Sequence, residues 1–371
     1  MEKAQAEVIV IVGLLVVVSV VILYAFQNNL IRISPTGLTE EQKLIRNSVE
    51  NLIREGAHET LKNISAYGGY LNGGSFPLGS VRFLGKEVPY WQHSGQTAYP
   101  DIESSLRDGI LEYINSNKQA LVSSVKKELT LGEPRIEALS VLNDRIAIKV
   151  NMPTMLQGRP IQQPYTVEIP SRLGEVYEFS RGFVDYEVLK RPLEYYTISS
   201  MMLSPIDDGV HTLPLFLFLT RCGEFVYKDW YDIKPWMEYA IKVTLAHTYM
   251  PGKVPLNTMK TTSYPKYSLV PINGKEYEDL DVSFHLPDEF ELDSTNFQFT
   301  PDPIFVMSDV IEFVGECQSD PVYVKYFVTY PVVVRVKDPL TGNVFQYAVQ
   351  VYILDNAPGD WSAGVSGYTP E

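Results

Sequence analysis

The sequence predicts an α+β protein: one hydrophobic N-terminal helix, then a mixed helical and antiparallel β region of sandwich-like build. Three observations carry that expectation. Val8 to Phe26 runs for 19 residues without a charge. Two stretches between residues 38 and 130 repeat apolar residues with a helical period. Beyond residue 131, paired stretches alternate with a period of two around turn residues.

Composition sets the outer bounds. The chain has 371 residues, 45% apolar and 20% charged, which suits two or three folded units rather than a disordered polymer. Its formal charge of −14 argues against a nucleic-acid partner, because phosphate binding needs clustered Lys and Arg.

The first segment is residues 1–33. A 19-residue helix rises by about 1.5 Å per residue and so nearly matches a hydrocarbon core of roughly 30 Å. A secretory signal carries a shorter apolar stretch, and a buried core helix usually keeps a polar stripe. Small residues such as Gly13 and Ser19 allow close helix approach, and Tyr24 and Phe26 suit the headgroup level. The predicted partner is a lipid bilayer. Lys3 against Glu2 and Glu7, with Arg32 at the far end, biases orientation only weakly. A short N-tail before a long domain favours the domain outside, as a membrane-anchored extracellular region. Cys222 and Cys317 then form one disulfide or remain two buried thiols. Asn63-Ile64-Ser65 is a glycosylation sequon.

The start of the chain resembles archaeal type IV pilin-like precursors, whose short leader is cut just before a hydrophobic helix. The resemblance covers roughly the first 26 residues. It implies a leader ending at Lys3-Ala4 and cleavage between Ala4 and Gln5, with Glu7 third in the mature chain. It also implies that Glu7, Val8, Ile9, Gly13, Leu14, Val18, Val21 and Ile22 form an assembly helix that leaves the bilayer for a filament core. Self-association through that helix follows from the same resemblance, and an uncut signal anchor is the competing arrangement.

Residues 38–130 form a helix-rich, membrane-proximal unit. Thr39, three before Gln42, has capping-box spacing, and Leu44, Ile45, Val49, Leu52, Ile53, Gly56 and Leu61 follow a helical period up to Gly68-Gly69. That helix packs on its own domain or on a neighbouring subunit. Asn72 to Gly95 reads as strands and turns that include Val88-Pro89-Tyr90-Trp91. Asp101 caps a helix to about Asn117, with Ile102, Leu106, Ile110 and Ile114 on one face.

Residues 131–203 form a hairpin-plus-helix module. Glu137–Leu142 and Arg145–Val150 flank the turn Asn143-Asp144, and Ser171–Leu189 returns to a helical period through Leu173, Val176, Phe183, Val184 and Val188. Residues 204–355 form a β-rich distal domain. Its clearest hairpin joins Pro331–Val336 to Val344–Val351 through a turn with Pro339 and Gly342, with Asp281–Leu286 and Val322–Val328 extending the sheet. Residues 356–371 are a Gly-, Ser- and Pro-rich tail.

Residue patterns that carry chemistry are sparse. His58, His93, His211, His247 and His285 are scattered without metal-ligand spacing, and no phosphate-binding loop, nucleophile elbow or dinucleotide turn is present. No metal, cofactor or catalytic residue is predicted. Glu278-Asp279 with Asp281, and Asp288-Glu289 with Glu291 and Asp293, offer hard oxygen ligands for calcium or are solvated loops. Twenty-four tyrosines, among them Tyr195, Tyr196, Tyr264, Tyr267, Tyr323, Tyr326 and Tyr330, suit contact with a cell-surface protein or glycan, or half-buried strand faces. The expected function is that of a cell-surface structural or adhesive protein, anchored or polymerised through its N-terminal helix. A non-polymerising single-pass binding protein is the alternative, and a tethered hydrolase a third class.

Overall fold

The computed structural model describes residues 39–71, 75–203, 215–217, 223–249, 267–268, 277, 280–311, 316–318, 322–354 and 356. The segment Val8–Phe26 therefore lies outside the described residues. Among the described residues, no helix is long and apolar enough to cross a membrane. The fold is mixed α+β, with five described helices and several sheets.

Helix α1 (Glu40–Ala66) begins where the sequence places its cap. The Thr39 hydroxyl accepts the Gln42 N–H at 3.3 Å, and the Thr39 N–H donates to the Gln42 side chain at 3.1 Å. Ile45, Val49, Leu52, Ile53, Ala57, Leu61 and Ile64 are buried within the domain's own core, while Leu44 stays exposed. The chain leaves the helix at Gly68, whose φ is +53°; a Cβ there would lie 2.7 Å from the Gln346 carbonyl oxygen. Helix α2 (Ile102–Ser124) is capped by the Asp101 carboxylate on the Ser104 N–H at 3.0 Å. It packs along α1 through Ile102, Leu106, Ile110 and Ile114.

The longer strands and their short neighbours, in chain order, are β1 (Ser80–Phe83), β2 (Lys86–His93), β3 (Gln96–Thr97), β4 (Leu129–Leu131), β5 (Arg135–Val141), β6 (Arg145–Asn151), β7 (Thr154–Leu156), β8 (Arg159–Pro160), β9 (Tyr165–Pro170), β10 (Phe225–Lys228), β11 (Asp281–His285), β12 (Phe297–Thr300), β13 (Ile304–Met307), β14 (Lys325–Lys337) and β15 (Val344–Ile353). The central sheet has seven strands, ordered β1-β2-β15-β14-β11, with β12 also on β14 and β3 on β2. The β14–β15 hairpin pairs continuously from Val328↔Ile353 to Lys337↔Val344, longer at both ends than its sequence pattern. All the sheet's described contacts are antiparallel except β2 with β15, which run parallel across a register shift at Tyr90/Gln92. This sheet joins strands from the expected 38–130 and 204–355 units.

Alternation along β14 and β15 gives two apolar faces. Tyr330, Val332, Val334, Phe345, Tyr347 and Val349 enter the main core, while Val333 and Ala348 meet Phe83, Val88 and Tyr90 in a smaller cluster on the other side. Helices cover the main face: α1, α3 (Leu173–Lys190) and α4 (Pro192–Leu203) contact β14 or β15. A helical layer therefore stands where a sandwich would place a second sheet, because the apolar stripes of these helices supply the opposing surface. The β5–β6 hairpin forms around Asn143-Asp144, closed by the Leu142 N–H on the Arg145 carbonyl at 2.9 Å, and β9 adds a third strand.

Two helices depart from the sequence expectation. Arg191 adopts φ +48°, ending α3, and Pro192 opens α4 at the position where its missing N–H costs least. Helix α5 (Trp230–His247) stands within the 204–355 region expected to be β-rich. Its signal was local: the Asp229 carboxylate accepts the Tyr231 and Asp232 N–H groups, and Asp232 bonds back to the Asp229 N–H in a capping box.

Candidate functional site

In a groove of the described surface, aromatic, cationic and acidic side chains from three elements converge. Tyr99, Pro100 and Asp101 lead into α2; Asn143 lies in the β5–β6 turn; Gly174, Tyr177, Glu178 and Arg181 lie along one side of α3. Spacings of three, four and seven residues put the α3 group on one helical face. The open groove measures about 660 Å³. At Gly174 a Cβ would come 2.6 Å from the Leu142 carbonyl oxygen, so glycine lets the hairpin turn close against the helix.

The groove is braced from within. Tyr177 donates its hydroxyl to the Pro100 carbonyl at 2.6 Å, and Tyr99 donates to the Asp185 carboxylate at 2.5 Å. Arg181 stacks 4.9 Å from the Tyr99 ring centre and 5.9 Å from that of Tyr177. Beneath them, buried Trp91 meets both rings edge-on, lies 4.5 Å from Tyr347 and donates its indole N–H to the Gly68 carbonyl at 3.0 Å. Burial raises the pKa of both Tyr99 and Tyr177, and at Tyr99 the hydrogen bond and charge of Asp185 add to it. Both phenols therefore stay protonated donors near neutrality. Such an arrangement can stack against a ligand and hydrogen-bond it; its lining holds no paired nucleophile and base.

A second ionisable group lies in the interior. Glu187 of α3 and Glu194 of α4 are buried on either side of the Arg191 elbow. The Leu193 N–H donates to Glu187 at 3.3 Å, and the Leu354 N–H, just past β15, donates to Glu194 at 2.5 Å. Arg191 lies 3.1 Å from the other Glu194 oxygen, and the hydroxyls of Thr197 and Tyr330 meet at 3.0 Å. Burial above all, with the Glu194 charge, pushes the Glu187 carboxyl up to about 8 against a partial offset from the Leu193 N–H and Arg191. The network fastens the elbow to the end of the central hairpin.

The sequence-predicted positions fall unevenly. Ala4, Gln5, Glu7, Val8, Ile9, Gly13, Leu14, Val18, Val21, Ile22 and Cys222 lie outside the described residues. Cys317 lies on a short strand paired with residues 309–311. Asn63 is half-buried near the C-terminus of α1, where the following Ile64 and Ser65 are buried; the sequon is helical rather than in a loop. His58 is exposed, His93 stacks on Tyr90, His247 is buried against the Val243 carbonyl, and His285 adjoins Ser283. His211 lies outside the described residues, as do Glu278 and Asp279.

The described acidic loop is spent on local structure. Asp288 accepts the Leu84 and Gly85 N–H groups of the β1–β2 turn, Asp293 accepts Thr295, and Glu291 pairs with Lys234. Among the described residues, no group of three His, Cys, Asp or Glu could hold a metal ion. Tyr196, Tyr326 and Tyr330 are core residues, whereas Tyr195 and Tyr323 are half-buried. Sequence reading missed the groove because its lining comes from three separated stretches. No protein-family model, curated protein or solved structure matches this chain.

Proposed function

We propose that this chain is a cell-surface structural or adhesive protein that anchors or assembles through its N-terminal hydrophobic helix, with the described α+β domain outside the cell. In the filament form it is a large pilin-like subunit: Ala4-Gln5 is cut, and Val8–Phe26 supplies the contacts between subunits. The observation that carries the reading is the uncharged 19-residue run ending 13 residues before the Thr39 cap. Helix α1 adds support, since its apolar stripe is already used inside the domain and leaves association to the preceding segment. The groove beside Arg181 favours a binding role and is equally suited to a single-pass protein that does not polymerise.

Mass spectrometry of the N-terminus tests the processing step. A mature chain starting at Gln5, found in sheared surface fibres by negative-stain microscopy, is the expected result. An intact Met1 removes the pilin-like form, and release of uncut protein by carbonate, with no fibre carrying it, removes the anchored form as well.

A further inference from the structure

The second face of the central sheet carries a guanidinium that its neighbours do not neutralise. Ser283 of β11 pairs with Arg335 of β14, and His285 pairs with Val333, a member of the smaller apolar cluster. Period-two alternation puts Ser283, His285, Val333 and Arg335 on that one face. The His285 Nε2 lies 2.9 Å from the Ser283 hydroxyl. Phe83 of β1 covers both groups: its ring centre lies 5.4 Å from that of His285 and 5.8 Å from the Arg335 guanidinium carbon. Arg335 is half-buried, and its Nε is enclosed without a hydrogen-bond acceptor. Among the described residues no carboxylate pairs with this guanidinium, although the chain carries 45 Asp and Glu. The acids of the adjoining elements are placed elsewhere. Asp281 stands opposite Lys337, Glu87 accepts the Ser80 hydroxyl, and Asp288 accepts the Leu84 and Gly85 N–H groups.

We propose that Arg335, Ser283 and His285 form a binding site for one small oxyanion of the phosphate class, free or carried as a monoester. A guanidinium offers only N–H donors, in a planar fork that matches phosphate oxygens. Of its nitrogens only Nε is enclosed, so the terminal pair stays open to a ligand. With its proton on Nε2, His285 donates to Ser283 Oγ, and the hydroxyl hydrogen can then point at the anion. Phe83 screens the site from water, which strengthens a charge-assisted bond made there. Charge limits the ligand's size. One oxyanion offsets one partly desolvated guanidinium, whereas a polyanion would meet the repulsion of a chain at −14. Burial first, and then the Arg335 charge, hold the His285 pKa below its usual value. A bound anion opposes the Arg335 charge and should raise that pKa; by linkage it should bind more tightly as pH falls. The inference goes beyond the proposed function and does not depend on cleavage or insertion of the N-terminal segment.

Magnetic resonance of full-length protein in detergent, isotopically labelled at histidine Cε1, tests the site, with the His285 signal identified by its loss in His285→Gln. Inorganic phosphate, added up to about 50 mM at constant ionic strength, should move that signal saturably with a Kd of roughly 1–10 mM. The His285 titration midpoint should rise in the same series, while the other histidines hold theirs. Glycerol 1-phosphate is the second arm. Tighter binding than inorganic phosphate assigns the site to a monoester, and equal or weaker binding assigns it to the free anion. Arg335→Gln should weaken binding by at least about tenfold with circular dichroism unchanged. Ser283→Ala, a smaller change in the same site, should weaken it by about threefold. No saturable shift, a shift shared by all the histidines, or a response that survives both substitutions would overturn the inference.

Discussion

Replacing Glu187 by Gln should stabilise the protein at neutral and alkaline pH, an unusual direction for a buried substitution. Glu187 titrates at about 8 in the folded chain against 4.5 for an unperturbed carboxyl. Between those values the folded state holds a proton that the unfolded state has released. Unfolding free energy therefore falls as pH rises, by about 1.4 kcal/mol per pH unit. The loss begins near pH 4.5, is complete near pH 8 and totals on the order of 4–5 kcal/mol across that window. Glutamine copies the shape of the neutral acid and keeps an oxygen for the Leu193 N–H, bonded at 3.3 Å in the native protein. The variant should match the parent within about 1 kcal/mol at pH 4 and exceed it by about 4 kcal/mol at pH 8. Urea denaturation followed by circular dichroism from pH 4 to 9 measures both, with equal m-values required for the comparison. If the two stability curves run parallel across that range, Glu187 is not held protonated by burial and the reasoning fails.

Two further perturbations address the central hairpin. One Asp338 oxygen accepts the Leu340 and Thr341 N–H groups of its own turn, while the other accepts the Ser171 hydroxyl and Arg172 N–H at the start of α3. Asp338→Ala should cost about 3 kcal/mol in chemical denaturation, and Asp338→Asn should recover only the turn-side part. Equal stability of Asp338→Ala and the parent would show that this junction contributes nothing. Gly68→Ala should cost about 2–3 kcal/mol, combining left-handed strain with a Cβ driven against the Gln346 carbonyl. A shift in Trp91 fluorescence should accompany it, because the Trp91 indole bonds the Gly68 carbonyl; an unchanged melting temperature would contradict the close approach.

Local chemistry made much of the fold legible. Thr39 and Asp101 mark helix starts because a side-chain oxygen satisfies N–H groups only two or three residues away. The Asn143-Asp144 and Asp338–Asn343 turns likewise close bonds between near neighbours, so their strands could be read as pairs. The apolar 19-residue run, and the membrane reading drawn from it, belong to the same local kind of information.

Tertiary structure decided what local bonding leaves open. The parallel pairing of Tyr90 with Ala348 joins residues more than 250 positions apart, and no periodicity identifies a partner at that distance. Val333 and Ala348 look like ordinary strand residues until β1 and β2 cover the second face. Glu187 and Glu194 are carboxylates that the Arg191 elbow turns inward against β14 and β15. Phe225 and Tyr227 are apolar side chains that the two-stranded β10–β13 ribbon turns to water. In each case a side chain's environment is set by surfaces that meet only after distant segments have packed. The sequence by itself marked the starts of α1 and α2 and the two hairpin turns; the packed fold determined which faces are buried and which carboxyl keeps its proton.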